Sequence, residues 1–407
     1  MVTVAIILLI AAIAIGLIRK TNIGPILFAF AIILGVSAAG MSVNEVLAGI
    51  PVSLIFKIAA VTMFYGFSRE NGALQGFVSH IFRLFRRKPK LVPFAIFIVT
   101  LVISIMGLGI FSGMFIAPLG FELGKKAKSN SMLIFLCVCC GALAGSNLPF
   151  SLGGVVAQGL MISIGKVDPA LASAYTLVGS ALTVFVCLIM VVLGHLIFRS
   201  KSEEIIEEEE LMSFSIRQKQ TLVLIAVVTA AILMINILST FRLISSNSLI
   251  AKIGDIGVIC TIGIVIECVL GLGSEKKVVH DIVPWNVILL VSGFSSFLAV
   301  VQKLGVIDIV ADKLIDLAGV SYIALILCVI AGLLSLVSSG LSVVCPLLFS
   351  IVAQVVLKTG ADPTIMFAAV FAGASITAIS PFSALGSSVL SCSPDENEQQ
   401  LMFYKII

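Results

Sequence analysis

The chain has 407 residues, of which 60% are hydrophobic and 11% are charged, and its formal net charge is +4. A soluble domain carries roughly 25% charged residues, and the mean hydropathy of this chain is +1.22. This composition excludes a soluble enzyme, and the small net charge does not indicate nucleic-acid binding. Because many apolar stretches reach the roughly twenty residues that a spanning helix needs, we predict an all-α polytopic membrane protein.

The nine cysteines lie within apolar runs, with no CxxC pair and no histidine at ligand spacing. We expect them to be small buried hydrophobic residues, and we expect no metal site or cofactor from them. The histidines, His80, His195 and His280, are far apart at predicted membrane borders. Residues 2–17 lack a basic n-region and a small-residue cleavage site, so we expect a retained first helix and not a signal peptide.

Residues 1–198 are predicted to form the first of two repeats. Three spanning helices are expected at about 2–18, 23–40 and 50–68. Residues 72–90 place apolar side chains at helical spacing and end in a cluster of Arg and Lys, which is typical of an amphipathic helix on a membrane surface. The positive-inside rule assigns this arm to the cytoplasm and the N-terminus to the outside.

Residues 91–124 are apolar, with a glycine-rich centre at 106–113, and have basic residues on both flanks. Equal charge on both flanks favours a re-entrant hairpin that enters and leaves on the cytoplasmic side, and one long tilted helix is the alternative. A broken helix over 131–165 and a closing helix over 170–198 complete the first repeat. The acidic stretch 199–220 is predicted to be a cytoplasmic linker.

Residues 221–407 are predicted to repeat this order from the opposite side of the membrane. Helices are expected at about 221–240, 248–272 and 285–301, followed by an outer arm (302–318), a second hairpin (320–358) and a second broken helix (363–392). The outer arm carries three Asp and two Lys, in contrast to the basic arm of the first half. The second half is expected to lack a closing helix, and a longer natural chain is the alternative.

The two broken helices contain related sequences, residues 141–154 and 373–386. Both place Gly-Ala eight residues before Pro-Phe-Ser, and both have a Gly three residues after that Ser. Pro149 and Pro381 remove helical hydrogen bonds and leave backbone polar groups without their helical partners. Within a bilayer such backbone is tolerated only where it is buried in protein or lines a watery cavity. A matched pair of interrupted segments, one in each half, therefore indicates the binding site of a transporter.

This order of elements resembles the ion transporter superfamily, and within it the divalent-anion/sodium symporters and the malonate-carrier type of dicarboxylate carrier. The resemblance covers most of the chain and is most specific at the hairpins and broken helices. It implies a homodimer with a scaffold domain and a transport domain that moves like an elevator. Members usually carry Ser-Asn-Thr at the hairpin tips, but residues 109–113 and 338–342 contain neither Asn nor Thr. This departure concerns which ion and which anion are bound, more than which fold the chain adopts.

We predict that hydroxyl and amide groups at the four breaks bind a carboxylate, aided by the N-termini of half-helices. Unwound carbonyl oxygens would bind sodium, and neither tips nor breaks contain Lys or Arg. The alternative for each Ser or Thr is a bond to its own helical turn or a helix–helix contact. The substrate candidates are Ser112, Ser146, Asn147, Ser151, Ser339, Thr377, Ser380 and Ser383. The sodium candidates are Ser112, Gly113, Asn147, Ser338, Gly340 and Ser380.

Three ionisable residues lie within predicted spans but outside the hairpins and broken helices: Lys57, Asp255 and Glu267. Intramembrane ionisable residues are functional candidates. Structural or interfacial roles are the first expectation for all three, and proton coupling at Glu267 is the sharper hypothesis.

The leading functional hypothesis is secondary active transport of a small organic anion, a dicarboxylate coupled to Na⁺, by a homodimer in the inner membrane. Proton coupling, or antiport of inorganic ions, is the alternative within transport. An intramembrane hydrolase would need a Ser–Lys or Ser–His dyad or paired Asp at depth, which the sequence does not offer. A channel is a further alternative, although hairpins from opposite sides suit alternating access better.

Overall fold

The computed structural model describes residues 2–19, 21–85, 89–198, 214–240, 254–336, 339–393 and 396–406. Every secondary-structure element formed by these residues is a helix or a helical turn, which confirms the predicted all-α class. Within these ranges five helices are long and apolar enough to span a membrane. The number is six if a pair of helices bent by 116° at Gly319 is counted as one span.

The helices before the acidic linker are α1 (Val2–Arg19), α2 (Ile23–Ser37), α3 (Val43–Leu47), α4 (Val52–Glu70), α5 (Ala73–Phe85), α6 (Val92–Ile103), α7 (Phe111–Lys126), α8 (Ser131–Ser146), α9 (Leu152–Ser163) and α10 (Pro169–Ile197). The later helices are α11 (Ile216–Thr240), α12 (Ile256–Val269), α13 (Trp285–Lys303), α14 (Val306–Ser335), α15 (Cys345–Thr359), α16 (Pro363–Ile376), α17 (Ala384–Leu390) and α18 (Glu396–Ile406).

Short polar residues set the starts of several apolar helices. The side-chain oxygens of Asn22, Asn130 and Asp255 accept hydrogen bonds of 2.8, 2.9 and 2.9 Å from the amide two residues later. Such N-caps satisfy amide groups that the first helical turn leaves without partners. Asp255 therefore has a structural role at the start of α12, as first expected for this residue.

The predicted linker, 199–220, extends too far. Residues 199–213 lie outside the described part of the chain, but α11 already begins at Ile216. The reason is a capping box: the Gln218 amide donates to Ser215 Oγ at 3.2 Å, and the Ser215 amide donates to Gln218 Oε1 at 3.0 Å. This pair stabilises a helix start within a hydrophilic sequence.

The chain divides into two compact units. Unit 1 comprises Met1–Ile58, Val156–Gly179 and Pro284–Ala374. Its most extensive helix pair is α2 with α13. These backbones cross closely, because a Cβ placed on Gly293 would lie 1.9 Å from the Gly24 carbonyl oxygen. Glycine is needed wherever two backbones approach at this distance.

Unit 2 comprises Ala59–Val155, Ser180–Val283 and Ser375–Ile407. In it α6 and α7 contact each other to form a helical hairpin, and both pack against α8. The helix that follows the second break, α17, packs on α7 and α8. Each unit therefore combines segments from both halves of the sequence.

A polar cluster joins α4 to the second half of the chain within unit 2. Asn71 donates to Thr221 Oγ1 at 2.7 Å and to the Leu272 carbonyl oxygen at 2.9 Å. Glu70 accepts from the Ser274 amide at 3.1 Å and pairs with Lys277 at 3.4 Å. The end of α4 is thereby fixed to the start of α11 and to the loop after α12.

Candidate functional site

The first broken helix is interrupted by a turn between α8 and α9. Asn147 ends α8 as its C-cap, and α9 begins at Leu152. Ser151 Oγ donates to the carbonyl oxygens of Ser146, five residues earlier, and of Leu148, three residues earlier. A Cβ on Gly154 would lie 2.0 Å from the Leu148 carbonyl oxygen. The Ser therefore closes the turn, and the Gly lets the second half-helix start directly against it.

The second broken helix repeats this turn. Ser383 Oγ donates to the carbonyl oxygens of Ala378 (2.5 Å), five residues earlier, and Ser380 (2.8 Å), three residues earlier. A Cβ on Gly386 would lie 2.1 Å from the Ser380 carbonyl oxygen. Ser383 also accepts from the Gly386 amide at 3.1 Å, which caps α17. Both Pro-Phe-Ser sequences therefore form the same local structure.

The tip of the first hairpin is a π-helical turn, Ser104–Leu108, between α6 and α7. Gly107 and Gly109 have φ values of +96° and +53°, in the left-handed region that favours glycine. The buried Ser104 Oγ lies 2.9 Å from the Gly109 carbonyl oxygen and 2.7 Å from that of Ala142 on α8. This hydroxyl therefore joins the hairpin tip to the first broken helix.

The second hairpin has the equivalent contact within unit 1. Its arms are the part of α14 after Gly319 and α15, with a π-helical turn, Gly340–Val344, between them. Ser335 Oγ donates to the Ala374 carbonyl oxygen at 2.5 Å. A Cβ on Gly340 would lie 2.3 Å from the same oxygen. Ser339 Oγ caps the turn by accepting from the Ser342 amide at 3.4 Å.

Both broken helices also use glycine to approach the first arm of their hairpin. A Cβ on Gly141 would lie 2.6 Å from the Phe97 carbonyl oxygen, and one on Gly373 would lie 2.3 Å from that of Cys328. The hairpin and broken helix of each half thus share a serine bond, a glycine contact and a serine-closed turn. The two halves have the same local geometry at these positions.

Two polar groups near the first break are buried without a hydrogen-bond partner among the described residues: Ser112 Oγ and Asn147 Nδ2. Ser112 lies in the first turn of α7, directly after the hairpin tip, and Asn147 lies at the break. Buried polar groups are nearly always hydrogen-bonded, and each exception requires an explanation. A ligand that accepts hydrogen bonds is one such explanation.

The predicted site residues fall into two groups. Unit 2 contains those of the first hairpin and both breaks: Ser112, Gly113, Ser146, Asn147, Ser151, Thr377, Ser380 and Ser383. A Cβ on Gly113 would lie 2.6 Å from Leu385 Cδ1 and 3.5 Å from Ala142 Cβ, so the first hairpin, α8 and α17 meet there. Ser339 and Gly340 belong to unit 1. Ser338 lies outside the described residues.

The bonding of these candidates differs. The Ser151 and Ser383 hydroxyl protons are used to close the turns, while their lone pairs keep acceptor capacity. Ser380 Oγ accepts from the Phe382 amide at 3.3 Å. The backbone carbonyl oxygen of Asn147 accepts a hydrogen bond from Ser180 Oγ on α10. At the first hairpin and the first break, Ser112 Oγ and Asn147 Nδ2 are the buried donors that have no partner among the described residues.

Sequence reasoning missed the serines that fix the breaks and the tips, namely Ser104, Ser180 and Ser335. Ser104 and Ser335 each stand five residues before a tip glycine, Gly109 or Gly340. Aligning the two hairpins on those glycines would have found them. No comparable signal in the sequence indicates that Ser180 binds the first break.

Comparisons with known proteins agree with this architecture. Residues 1–146 match the family model of the dicarboxylate carrier protein MatC N-terminus. No curated protein sequence matches the chain. The crystal structure of the YdaH transporter of Alcanivorax borkumensis, described as having an unusual topology, is similar with a TM-score of 0.57 at 14% identity. The similarity covers 89% of this chain and 82% of that one.

At this identity the structural match establishes the fold alone. Both comparisons are with transporters, which supports the prediction that the protein is not an enzyme. Together with the apolar helices, they indicate a multi-pass membrane protein. The chain has the fold of a membrane transporter, and the predicted resemblance to carriers of the dicarboxylate type is confirmed by its first 146 residues.

Proposed function

We propose that the protein is a secondary active transporter that takes up small dicarboxylates together with Na⁺. The observation that carries the proposal is a pair of buried donors, Ser112 Oγ and Asn147 Nδ2, to which the described part of the chain offers no partner. A hydroxyl and an amide bind a carboxylate without requiring a buried cation, which would be costly within the membrane. The match of residues 1–146 to a dicarboxylate carrier model supports this class of substrate.

The backbone at the first break adds to the attraction for an anion. The first amide groups of α9 have no partner within that helix, and the helix dipole places partial positive charge at this end. Anions bind readily at such helix starts. The first break therefore anchors one substrate carboxylate in our proposal, and the second break completes a pseudo-symmetric site.

Sodium coupling is proposed on the same geometry. Carbonyl oxygens of interrupted helices supply the oxygen ligands that Na⁺ needs in many transporters. The predicted sodium residues in unit 2 contribute such oxygens at the hairpin tip and at both breaks. Among the described residues no group of three His, Cys, Asp or Glu could hold a metal ion, so the cation would be bound by carbonyl and hydroxyl oxygens.

The repeated bonding of hairpins and broken helices supports an inverted repeat of 1–198 and 221–407. We propose a homodimer in the inner membrane, with the N-terminus outside and residues 199–220 in the cytoplasm, that works by an elevator motion. Proton-coupled transport of an organic anion is the second candidate, favoured by the buried carboxyl group of Glu267. Export or antiport of inorganic ions lacks a comparable observation at the breaks.

Uptake of labelled mono- and dicarboxylates into proteoliposomes, with and without a sodium gradient, tests the proposal. We expect saturable dicarboxylate uptake that an inward sodium gradient increases. Uptake that is indifferent to sodium for every substrate would remove the sodium claim. Absence of uptake for every dicarboxylate would remove the substrate class.

A variant at the break tests the site itself. Asn147→Ala removes a donor that has no partner among the described residues, so it should abolish uptake while leaving thermal stability nearly unchanged. A structural asparagine would behave in the opposite way, because losing its bonds destabilises the fold. Asn44→Ala, at an exposed position of α3, is the control and should change neither property. Full uptake by the Asn147 variant would move the site elsewhere.

A further inference from the structure

Glu267 is a fully buried carboxyl group to which the proposed transport site gives no role. It lies in the last turn of α12, and its exposed fraction is 0%. Neither carboxyl oxygen has a hydrogen-bond partner among the described residues. Burying an unpaired carboxylate costs several kcal/mol, so a carboxyl group in such a place is held as the neutral acid.

The groups around Glu267 do not include a cation among the described residues. The titratable groups that interact with it are Tyr65 on α4 and the thiols of Cys260 and Cys268 on its own helix. From α11, the Thr229 hydroxyl lies 2.9 Å from the Tyr65 hydroxyl. Two further charged groups pair with each other: Glu70 at the end of α4, and Lys277 in the segment after α12. No cation in the described part of the chain therefore offsets a negative charge on Glu267.

The packing around Glu267 is close on the side of α4. Gly263, one turn earlier on the same face of α12, lies against the Phe64 ring, since a Cβ there would be 2.5 Å from Cε2. This contact keeps water away from Glu267 on the side of α4, and separation of α4 from α12 would admit it. The ionisation of Glu267 is therefore linked to whether these two helices are packed together.

The same part of α4 contacts the first hairpin. A Cβ on Gly107, in the hairpin tip, would lie 2.0 Å from Cδ2 of Tyr65. The Tyr65 ring therefore lies directly on the backbone of the tip, while its hydroxyl is bonded to α11. A change in the packing of α4 on α12 acts on the residue that supports the tip. Glu267 and the hairpin thus share Tyr65 as a neighbour.

We propose that Glu267 is a proton-binding site of this transporter, neutral when α4 and α12 are packed together and ionised when they separate. Binding and release of its proton then accompany the conformational cycle and make transport depend on pH. The inference requires a transporter but does not depend on which anion is carried, or on sodium coupling.

The first test measures thermal unfolding of the purified protein against pH, without any substrate. The unfolded chain ionises this glutamate above about pH 4.3, whereas the folded state retains the proton. The wild type should therefore lose thermal stability as the pH rises, and Glu267→Gln should lose less. Glu267→Leu, which replaces the acid by an apolar group of similar size, should behave like the Gln variant. Glu122→Gln is the matched control at an exposed position paired with Lys126, and it should follow the wild type.

The second test measures uptake of labelled succinate into proteoliposomes at a series of pH values. Wild-type uptake should vary with pH, and Glu267→Gln should remove that variation, while the Glu122 control keeps it. Equal pH profiles of uptake for the wild type and the Gln variant overturn the proposal, whatever the unfolding curves show. If no dicarboxylate is transported, the unfolding experiment still decides: parallel curves for the wild type and both Glu267 variants overturn the proton site.

Discussion

The hydroxyl of Ser104 gives the most direct test of how the first hairpin is joined to the broken helix. It is fully buried and contacts the carbonyl oxygens of Gly109, in the tip, and Ala142, in α8. Since a hydroxyl has a single proton, the two contacts share one donor. We therefore count about one hydrogen bond, worth about 1 kcal/mol in soluble proteins and about 0.6 to 1.7 kcal/mol between helices in membranes.

Ser104→Ala should consequently destabilise the protein by about 1 kcal/mol. Its effect on uptake should be larger than this suggests, because the tip positions Ser112. The assay is reversible unfolding in mixed micelles, followed by uptake at equal protein content. Ser163→Ala is the matched control, since Ser163 Oγ donates to the Gly159 carbonyl oxygen of its own helix at 2.7 Å. This back-bond contributes little to stability.

Equal stability of the two variants would refute the role of Ser104 as the link between tip and helix. Ser104→Val extends the test in the other direction. Gly145 packs closely against this side chain, because a Cβ on Gly145 would lie 2.6 Å from Ser104 Cβ. Overpacking of this kind costs about 1–3 kcal/mol, so the Val variant should be less stable than the Ala variant.

Three further predictions concern packing, a polar cluster and a helix cap. Gly145→Ala places a methyl group 2.4 Å from the Leu101 carbonyl oxygen and should cost about 1–3 kcal/mol in unfolding experiments; a neutral result would show that α6 and α8 separate easily. Asn71→Ala removes bonds of 2.7 and 2.9 Å to two other segments and should lower stability by about 1–3 kcal/mol, with faster hydrogen exchange in both segments as the check. The backbone amide and hydroxyl of Ser42 lower the pKa of Glu45 from its ordinary 4.5, so the stability of α3 should be present above that value and be lost as the pH falls through the lowered pKa. Hydrogen exchange across α3 should show this loss, and Ser42→Ala should reduce the pH dependence without abolishing it, because the backbone amide at position 42 still donates to Glu45.

Much of the architecture follows from the sequence, because apolar length and flanking charge are direct consequences of the membrane environment. The predicted breaks are centred on Pro149 and Pro381, and the structure interrupts the helices there. The predicted start of this helix, at about residue 221, was wrong. A local capping box stabilises an earlier start, at Ile216, inside a hydrophilic stretch. A charge count does not detect such a cap.

The candidate site was less predictable. The sequence identifies Ser151 and Ser383 as polar groups near a break, but not that their hydroxyl protons close the turns. It also does not distinguish these residues from Ser112 and Asn147, whose donors find no partner within the described ranges. That difference depends on which carbonyl oxygen happens to lie within reach in the folded chain. The role of Ser104 depends likewise on α8 packing against α6.

The position of α17 has a consequence for the biogenesis of the protein. The first hairpin and α8 are adjacent in the chain and can associate soon after synthesis, as local contacts form early. Gly113, however, packs against Leu385 and Val389 of α17, which leaves the ribosome only after the intervening chain. The surroundings of the first break are therefore complete only after the last part of the chain has been synthesised.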